Sequence, residues 1–175
     1  DILSVGNEVR IVGSVQYYEA GGTWQVSDLT YRMMKPDDPG NIQKISEGNS
    51  PAFAEVSPET FVNGMVDVLV NDEAVQLPYA RLILATTVEM KGLQVVEVYT
   101  TTDENSDSRG AMTLICQADG HRISIRTTVF RDENGEIITE DAYLGRTIDV
   151  RGIVDYFDGS YQIKVFTPDN ITIIN

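Results

Sequence analysis

Apolar and polar residues alternate along two widely separated stretches of the chain, residues 9–16 and residues 148–156. A period of two is that of a β-strand with one buried face. Gly21-Gly22 and Asp158-Gly159 follow the two stretches and favour tight turns, so each stretch is predicted to open a hairpin. Nearly all periodicity in the chain is of this kind, which predicts an all-β fold, a small barrel or a sandwich.

The two stretches are copies of one pattern. In the first copy the shared residues are Val9, Ile11, Gly13, Val15, Tyr17, Tyr18, Trp24, Gln25 and Val26. In the second copy they are Ile148, Val150, Gly152, Val154, Tyr156, Phe157, Tyr161, Gln162 and Ile163. Residues 39–42 then correspond to residues 168–171. An internal repeat indicates that both stretches form the same local structure.

Between the copies the pattern predicts one short helix and several strands. Ser57 supplies a capping hydroxyl before Pro58, which favours a helix start. A long strand that contains Pro78 is expected to be bulged or to lie at a sheet edge. Asp119-Gly120 favours a hairpin turn. The strands are predicted over residues 75–87, 93–101, 111–117 and 122–130.

The final hairpin carries a family resemblance. An alternating strand with a glycine, a valine and an aromatic residue leads to a turn and then to an aromatic residue, Gln and Ile: Gly152, Val154, Tyr156, Tyr161, Gln162 and Ile163. This pattern resembles the closing hairpin of bacterial OB-fold domains found in nucleic-acid-binding and secreted nuclease-associated proteins. Over residues 75–174 the predicted elements also follow the OB-fold order, which implies a five-stranded, partly open barrel.

The repeat and the resemblance together predict three segments. Residues 73–175 are expected to form the OB-fold domain, residues 49–72 a linker with a short helix, and residues 1–48 a partial OB-like unit of a hairpin and a loop. If the first copy is a closing hairpin, the rest of its barrel is missing, and residues 1–48 then end an upstream repeat or pair with another element. Alternatively, they supply opening strands of a variant barrel. Of these possibilities we favour tandem OB-like units.

Composition limits the partners. Thirteen Lys and Arg residues against 27 Asp and Glu residues give a net charge of −14. Such a charge repels nucleic acid unless a groove is locally basic. No apolar run approaches the roughly 20 residues of a membrane-spanning helix, so we expect no membrane insertion. The low lysine content, with abundant Thr, Tyr and Asp, favours a secreted or cell-surface bacterial protein.

The resemblance also implies where a ligand binds. OB-fold domains bind through one sheet face and two loops, which correspond here to residues 101–110 and 157–160. Aromatic rings beside such loops stack on bases, each stack contributing about 1–3 kcal/mol. The candidate ligand-binding residues are Phe157, Tyr161, Tyr18, Trp24, Arg122, Arg126, Arg151 and Lys164. Strand parity points Phe157 outward and Tyr161 toward the core, so Phe157 is the better stacking candidate.

Asp103, Asn105 and Asp107 alternate like the start of a calcium loop. Ser108 and Leu114 stand where an EF-hand requires Gly and Glu, which excludes an EF-hand and leaves a weak calcium site as the candidate.

Catalytic and cofactor-binding motifs are lacking in the sequence. Cys116 is the only cysteine, which excludes an intrachain disulfide and a cysteine metal cluster. His121 is the only histidine. Cys116 lies in an apolar run and is predicted to be buried. A phosphate-binding glycine loop, a nucleophile elbow and a catalytic triad are absent. We therefore expect neither enzyme activity nor a cofactor.

The leading hypothesis is a non-catalytic OB-fold module that binds single-stranded nucleic acid through the barrel face. The alternative is a structural or protein-interaction module of an extracytoplasmic bacterial protein, whose partner is another protein or a second copy. The N-terminal hairpin motivates this alternative, because open sheet edges invite pairing. Carbohydrate binding is a third reading, since it also uses aromatic platforms, and it would be insensitive to salt.

Overall fold

The computed structural model describes residues 2–19, 23–27, 29 and 42–175, and strands dominate this part of the chain. The chain folds as two compact units, Asp1–Ala52 and Phe53–Asn175. No described helix is long and apolar enough to cross a bilayer.

The described residues of the N-terminal unit form four short strands. They are β1 (Glu8–Ile11), β2 (Ser14–Tyr18), β3 (Thr23–Ser27) and β4 (Ile42–Ser46). β1 pairs antiparallel with β4, and β2 pairs antiparallel with β3. The predicted turn at Gly21-Gly22 and residues 39–41 of the repeat lie outside the described residues.

The C-terminal unit begins with β5 (Ala54–Glu55), α1 (Pro58–Asn63), β6 (Met65–Val70), β7 (Glu73–Pro78) and α2 (Tyr79–Leu82). Its remaining strands are β8 (Thr87–Thr100), β9 (Met112–Ala118), β10 (His121–Thr127), β11 (Thr147–Phe157), β12 (Ser160–Val165) and β13 (Ile171–Ile173). Two 3₁₀ helices, Glu140–Ala142 and Pro168–Asn170, connect some of these strands.

Five of these strands close into a barrel. β8 pairs with β9 and β9 with β10, both antiparallel, and β10 pairs in parallel with β12. β12 pairs antiparallel with β11, which returns to β8 and closes the ring. Around the barrel the strands therefore follow the order β8, β9, β10, β12, β11. The fourth and fifth barrel strands of the chain, β11 and β12, have thus exchanged places. This is the Greek-key order of the OB-fold and confirms the predicted all-β fold with an OB-fold-like five-stranded barrel.

Alternate side chains of the barrel strands fill its interior. The fully buried residues include Val88, Met90, Leu93, Val95, Leu114, Cys116, Ile125, Ile148, Val150, Val154, Ile163 and Val165. Cys116 is buried as predicted, and this burial raises the pKa of its thiol to about 12. The period-two pattern thus decides which face of each strand becomes core and which face remains outside.

Local signals correctly predicted the start of α1. Ser57 Oγ accepts a hydrogen bond from the Thr60 amide at 3.1 Å and caps the helix before Pro58. The segment predicted as a linker with a short helix, residues 49–72, holds β5, α1 and β6.

The prediction of one strand over residues 75–87 is wrong. β7 ends at Pro78, α2 follows, and β8 begins only at Thr87. Proline has no amide hydrogen to continue a ladder, and its restricted φ suits the entry to a helical turn. β6, which the pattern did not predict, pairs with β7 as a separate hairpin.

Candidate functional site

A groove of about 770 Å³ crosses the outside of the barrel over β9, β10 and β12. The loop between β8 and β9 contributes Thr101, Ser106, Asp107 and Ser108. The end of β11, the turn after it and the first residue of β12 contribute Phe157, Asp158 and Ser160. These are the two loops through which OB-fold domains bind their ligands.

Arg126 on β10 lies half-buried in the groove. Its guanidinium donates hydrogen bonds to Thr113 Oγ1 and Thr101 Oγ1, both at 3.1 Å. Among the described residues no carboxylate forms an ion pair with it within 4.0 Å. Among the described residues, neutral hydroxyls rather than carboxylates therefore hold this guanidinium in place.

Lys164 on β12 is the direct neighbour of Arg126, because the two residues are in register across the parallel strand pair. Its Nζ lies 5.6 Å from the centre of the Phe166 ring. Over the described ranges this ammonium also lacks a carboxylate within 4.0 Å. The groove thus holds two adjacent cations that an anion could neutralise.

Phe157 is the last residue of β11 and 69% of it is exposed. Asp158 and Gly159 follow with φ values of 47° and 80°, the left-handed conformation that a tight hairpin turn requires. This turn holds the phenyl ring beside the groove. An exposed ring in such a position offers a face on which a base or a sugar can stack.

Gln162 is a groove residue that was not among the predicted ligand-binding residues. It is only 8% exposed, and its Nε2 donates a hydrogen bond to Asp155 Oδ2 at 2.9 Å. Ser124 lies next to it in register on β10. A signal was present, because Gln162 is matched by Gln25 in the repeat.

The groove is not uniformly basic. Asp107, Asp155 and Asp158 line it together with the two cations. Most of its other polar lining consists of uncharged hydroxyl groups: Thr101, Ser106, Ser108, Thr113, Ser124, Thr127, Thr128 and Ser160. An anionic ligand would therefore be held by few charges and many neutral hydrogen-bonding groups.

Two of the predicted cations do not line the groove. Arg122 donates to Glu97 Oε1 at 3.0 Å, and the Tyr99 hydroxyl donates to Glu97 Oε2 at 2.7 Å. The Tyr99 hydroxyl, with the Arg122 guanidinium, holds the pKa of Glu97 below its ordinary value. Arg151 is likewise paired with Glu89, Nε to Oε1 at 2.9 Å. Both arginines are therefore neutralised by carboxylates.

The other predicted aromatic residues are Tyr161 of the barrel and Tyr18 and Trp24 of the N-terminal unit. Tyr161 packs against the core, and its ring centroid is 5.0 Å from that of Tyr156. Tyr18 and Trp24 belong to the N-terminal unit, where 50% and 70% of each residue is exposed. Within the C-terminal unit, Phe157 lines the groove and Tyr161 does not.

The loop proposed as a weak calcium site stabilises its own turn. Asp103 Oδ1 accepts a hydrogen bond from the Asn105 amide at 2.9 Å, which is an Asx turn. Within the described part of the chain, no three His, Cys, Asp or Glu side chains are grouped as metal ligands. His121 Nε2 lies 2.5 Å from Glu59 Oε2, so the only histidine links β10 to α1.

No protein-family model and no curated protein matches the chain. Among solved structures it is similar to the asparaginyl-tRNA synthetase from Pyrococcus horikoshii complexed with asparaginyl-adenylate. The identity is 14% and the TM-score 0.40, over 63% of this chain and 22% of the synthetase chain. The chain thus spans less than a quarter of that chain, and a likeness at this TM-score carries no argument about function.

Proposed function

We propose that the C-terminal unit is a non-catalytic binding module that holds a short stretch of single-stranded nucleic acid in the groove. The observation that carries this proposal is the pair Arg126 and Lys164, which are in register on neighbouring strands. Neither of them is paired with a carboxylate in the described residues.

Arg126 is suited to a phosphate group. A guanidinium has five N–H donors, and two of its nitrogens are held by Thr113 and Thr101. The remaining donors can reach a phosphate oxygen without the cost of orienting a free side chain. Lys164 adds a second positive charge beside it.

Phe157 and the hydroxyl groups suit the rest of a nucleotide. The exposed phenyl ring can stack on a base, and serine and threonine hydroxyls can bond to sugar and base edges. Stacking is tolerant of base identity, because every base has a π face. We therefore expect little sequence preference.

The acidic surroundings determine how strongly the ligand binds. Three lining aspartates and a net charge of −14 oppose a polyanion. Each neutralised phosphate of a single strand contributes about −0.7 to the slope of log K against log salt. If Arg126 and Lys164 each neutralise one phosphate, we expect a slope of about −1.4 and binding that is strongest at low salt.

A titration of fluorescently labelled single-stranded DNA and RNA oligonucleotides at several salt concentrations tests the proposal. We expect saturable binding that weakens with salt along the slope given above. The label belongs on the oligonucleotide, because the only tryptophan, Trp24, lies in the other unit. Absence of saturable binding at the lowest salt concentration would contradict the proposal.

A neutral polysaccharide is the second candidate ligand. The observation that favours it is the mixture of aspartates and hydroxyls beside Phe157, since carboxylates and hydroxyls bond well to sugar hydroxyls. The same titration separates the two candidates. Sugar binding through neutral hydrogen bonds and stacking would be insensitive to salt, whereas phosphate binding is not.

A further inference from the structure

The N-terminal unit repeats the strand pairing of part of the barrel. Ile11 on β1 is paired with Ile42 on β4. Their counterparts in the sequence repeat, Val150 on β11 and Ile171 on β13, are paired with each other in the barrel. The first strand of the repeat and its closing strand therefore meet in the same register in both units.

The hairpin of each unit repeats this correspondence. Tyr17 is paired with Trp24 across β2 and β3, and their ring centroids are 5.4 Å apart. Tyr156 and Tyr161, their counterparts, are paired across β11 and β12 at 5.0 Å. Both aromatic pairs are tilted, with interplanar angles of 53° and 56°.

The glycine of the repeat is required for the same reason in both units. A Cβ atom on Gly13 would lie 2.6 Å from the Ser27 carbonyl oxygen. A Cβ atom on Gly152 would lie 2.6 Å from the carbonyl oxygen of Lys164, the counterpart of Ser27. Both strands thus pass equally close to their hairpin partner, so β2 and β3 repeat the close approach of the barrel's fourth and fifth strands.

Burial is where the two units differ. Val154 and Ile163 point into the barrel and are 1% and 0% exposed. Their counterparts Val15 and Val26 are 69% and 51% exposed, and Trp24 on the same hairpin is 70% exposed. The face that forms core in the barrel is therefore an open apolar face in the N-terminal unit.

The barrel itself shows what covers such a face. β11 is paired with β8, and β12 with β10, and β9 lies between β8 and β10. Across the described ranges, β2 and β3 are paired only with each other. The described part of the N-terminal unit thus contains counterparts of the fourth and fifth strands but none of the first three.

We propose that the N-terminal unit is the closing half of a second OB barrel, and that a three-stranded antiparallel segment equivalent to β8, β9 and β10 covers its apolar face. In an OB chain the first three strands precede the fourth. The occupant is therefore a segment of the same polypeptide on the N-terminal side of residue 1, comparable in length to residues 87–146. This inference is independent of the function proposed for the groove.

Cysteine labelling tests this proposal with a matched pair of variants. Val26→Cys places a thiol on the apolar face. Tyr18→Cys is the control, because its counterpart in the closed barrel, Phe157, is 69% exposed. Cys116 is fully buried and its thiol pKa is raised to about 12, so it gives no background. Both variants at residues 1–175 are expected to react rapidly with a maleimide.

The decisive comparison uses a longer polypeptide that includes the preceding segment. We expect labelling of Val26→Cys to slow by at least about 100-fold, because the site then reacts only through local opening. Tyr18→Cys should react at its former rate. Equal reactivity of Val26→Cys in both polypeptides would overturn the proposal. Concentration-dependent protection already in residues 1–175 would also overturn it, because a second copy would then be the occupant.

Discussion

Replacing Gly152 with valine is expected to lower the free energy of unfolding of the C-terminal barrel by about 3 kcal/mol or more. A Cβ atom at this position would lie 2.5 Å from Ile163 Cγ2 and 2.6 Å from the Lys164 carbonyl oxygen. A backbone carbonyl in the middle of a strand cannot move aside as the end of a flexible side chain can. Urea unfolding followed by far-ultraviolet circular dichroism measures the effect.

Gly159→Ala is the matched control for this variant. A Cβ atom at Gly159 meets nothing within 4 Å, but its φ of 80° lies in the left-handed region. Alanine there should cost only the conformational penalty of about 1–2 kcal/mol. If Gly152→Val unfolded at the same urea concentration as the wild type, β11 and β12 would not approach as closely as the structure describes.

Replacing Phe157 with alanine is expected to weaken oligonucleotide binding by about 1–3 kcal/mol, which is roughly 5- to 150-fold. The ring is 69% exposed and lies at the hairpin turn, so its loss removes a stacking platform without opening the core. Fluorescence anisotropy with the same labelled oligonucleotide measures the change, and thermal unfolding checks that the barrel is intact.

Replacing Arg126 with glutamine should reduce the affinity and make the salt slope shallower by about 0.7. Arg122→Gln is its matched control, because Arg122 lies four residues away on the same strand and is already paired with Glu97. We expect Arg122→Gln to bind as the wild type does. Equal losses in both variants would indicate a general charge effect and contradict the assignment of Arg126 to the site.

The sequence predicted the final hairpin well, because its determinants are local. A period of two sets the buried face of β11, and Asp158-Gly159 sets the turn. The course of the chain around Pro78 was not predicted correctly. A proline in an apolar stretch is compatible with a β-bulge, with an edge strand or with the end of a strand. Here the strand ends, because the following residues pack as a helical turn.

The site was harder to predict than the fold, since it depends on residues far apart in the chain. Arg122 and Arg126 share a strand face and look equivalent in the sequence. They differ because β8 brings Glu97 to Arg122, whereas Arg126 receives Thr113 and Thr101 instead. The register of β8, β9 and β10 decides which arginine meets a carboxylate. The alternation of side chains along one strand shows which face a residue lies on, but not which residue of the next strand lies beside it.

An NMR titration of isotope-labelled residues 1–175 with a single-stranded oligonucleotide at low salt shows directly whether the groove of the barrel is the binding site. We expect the largest amide shift changes on β10, β12, the Asp158-Gly159 turn and residues 101–110. Residues of the N-terminal unit such as Trp24 should change little. Shift changes confined to other surfaces, or none at saturating oligonucleotide, would contradict the proposed site.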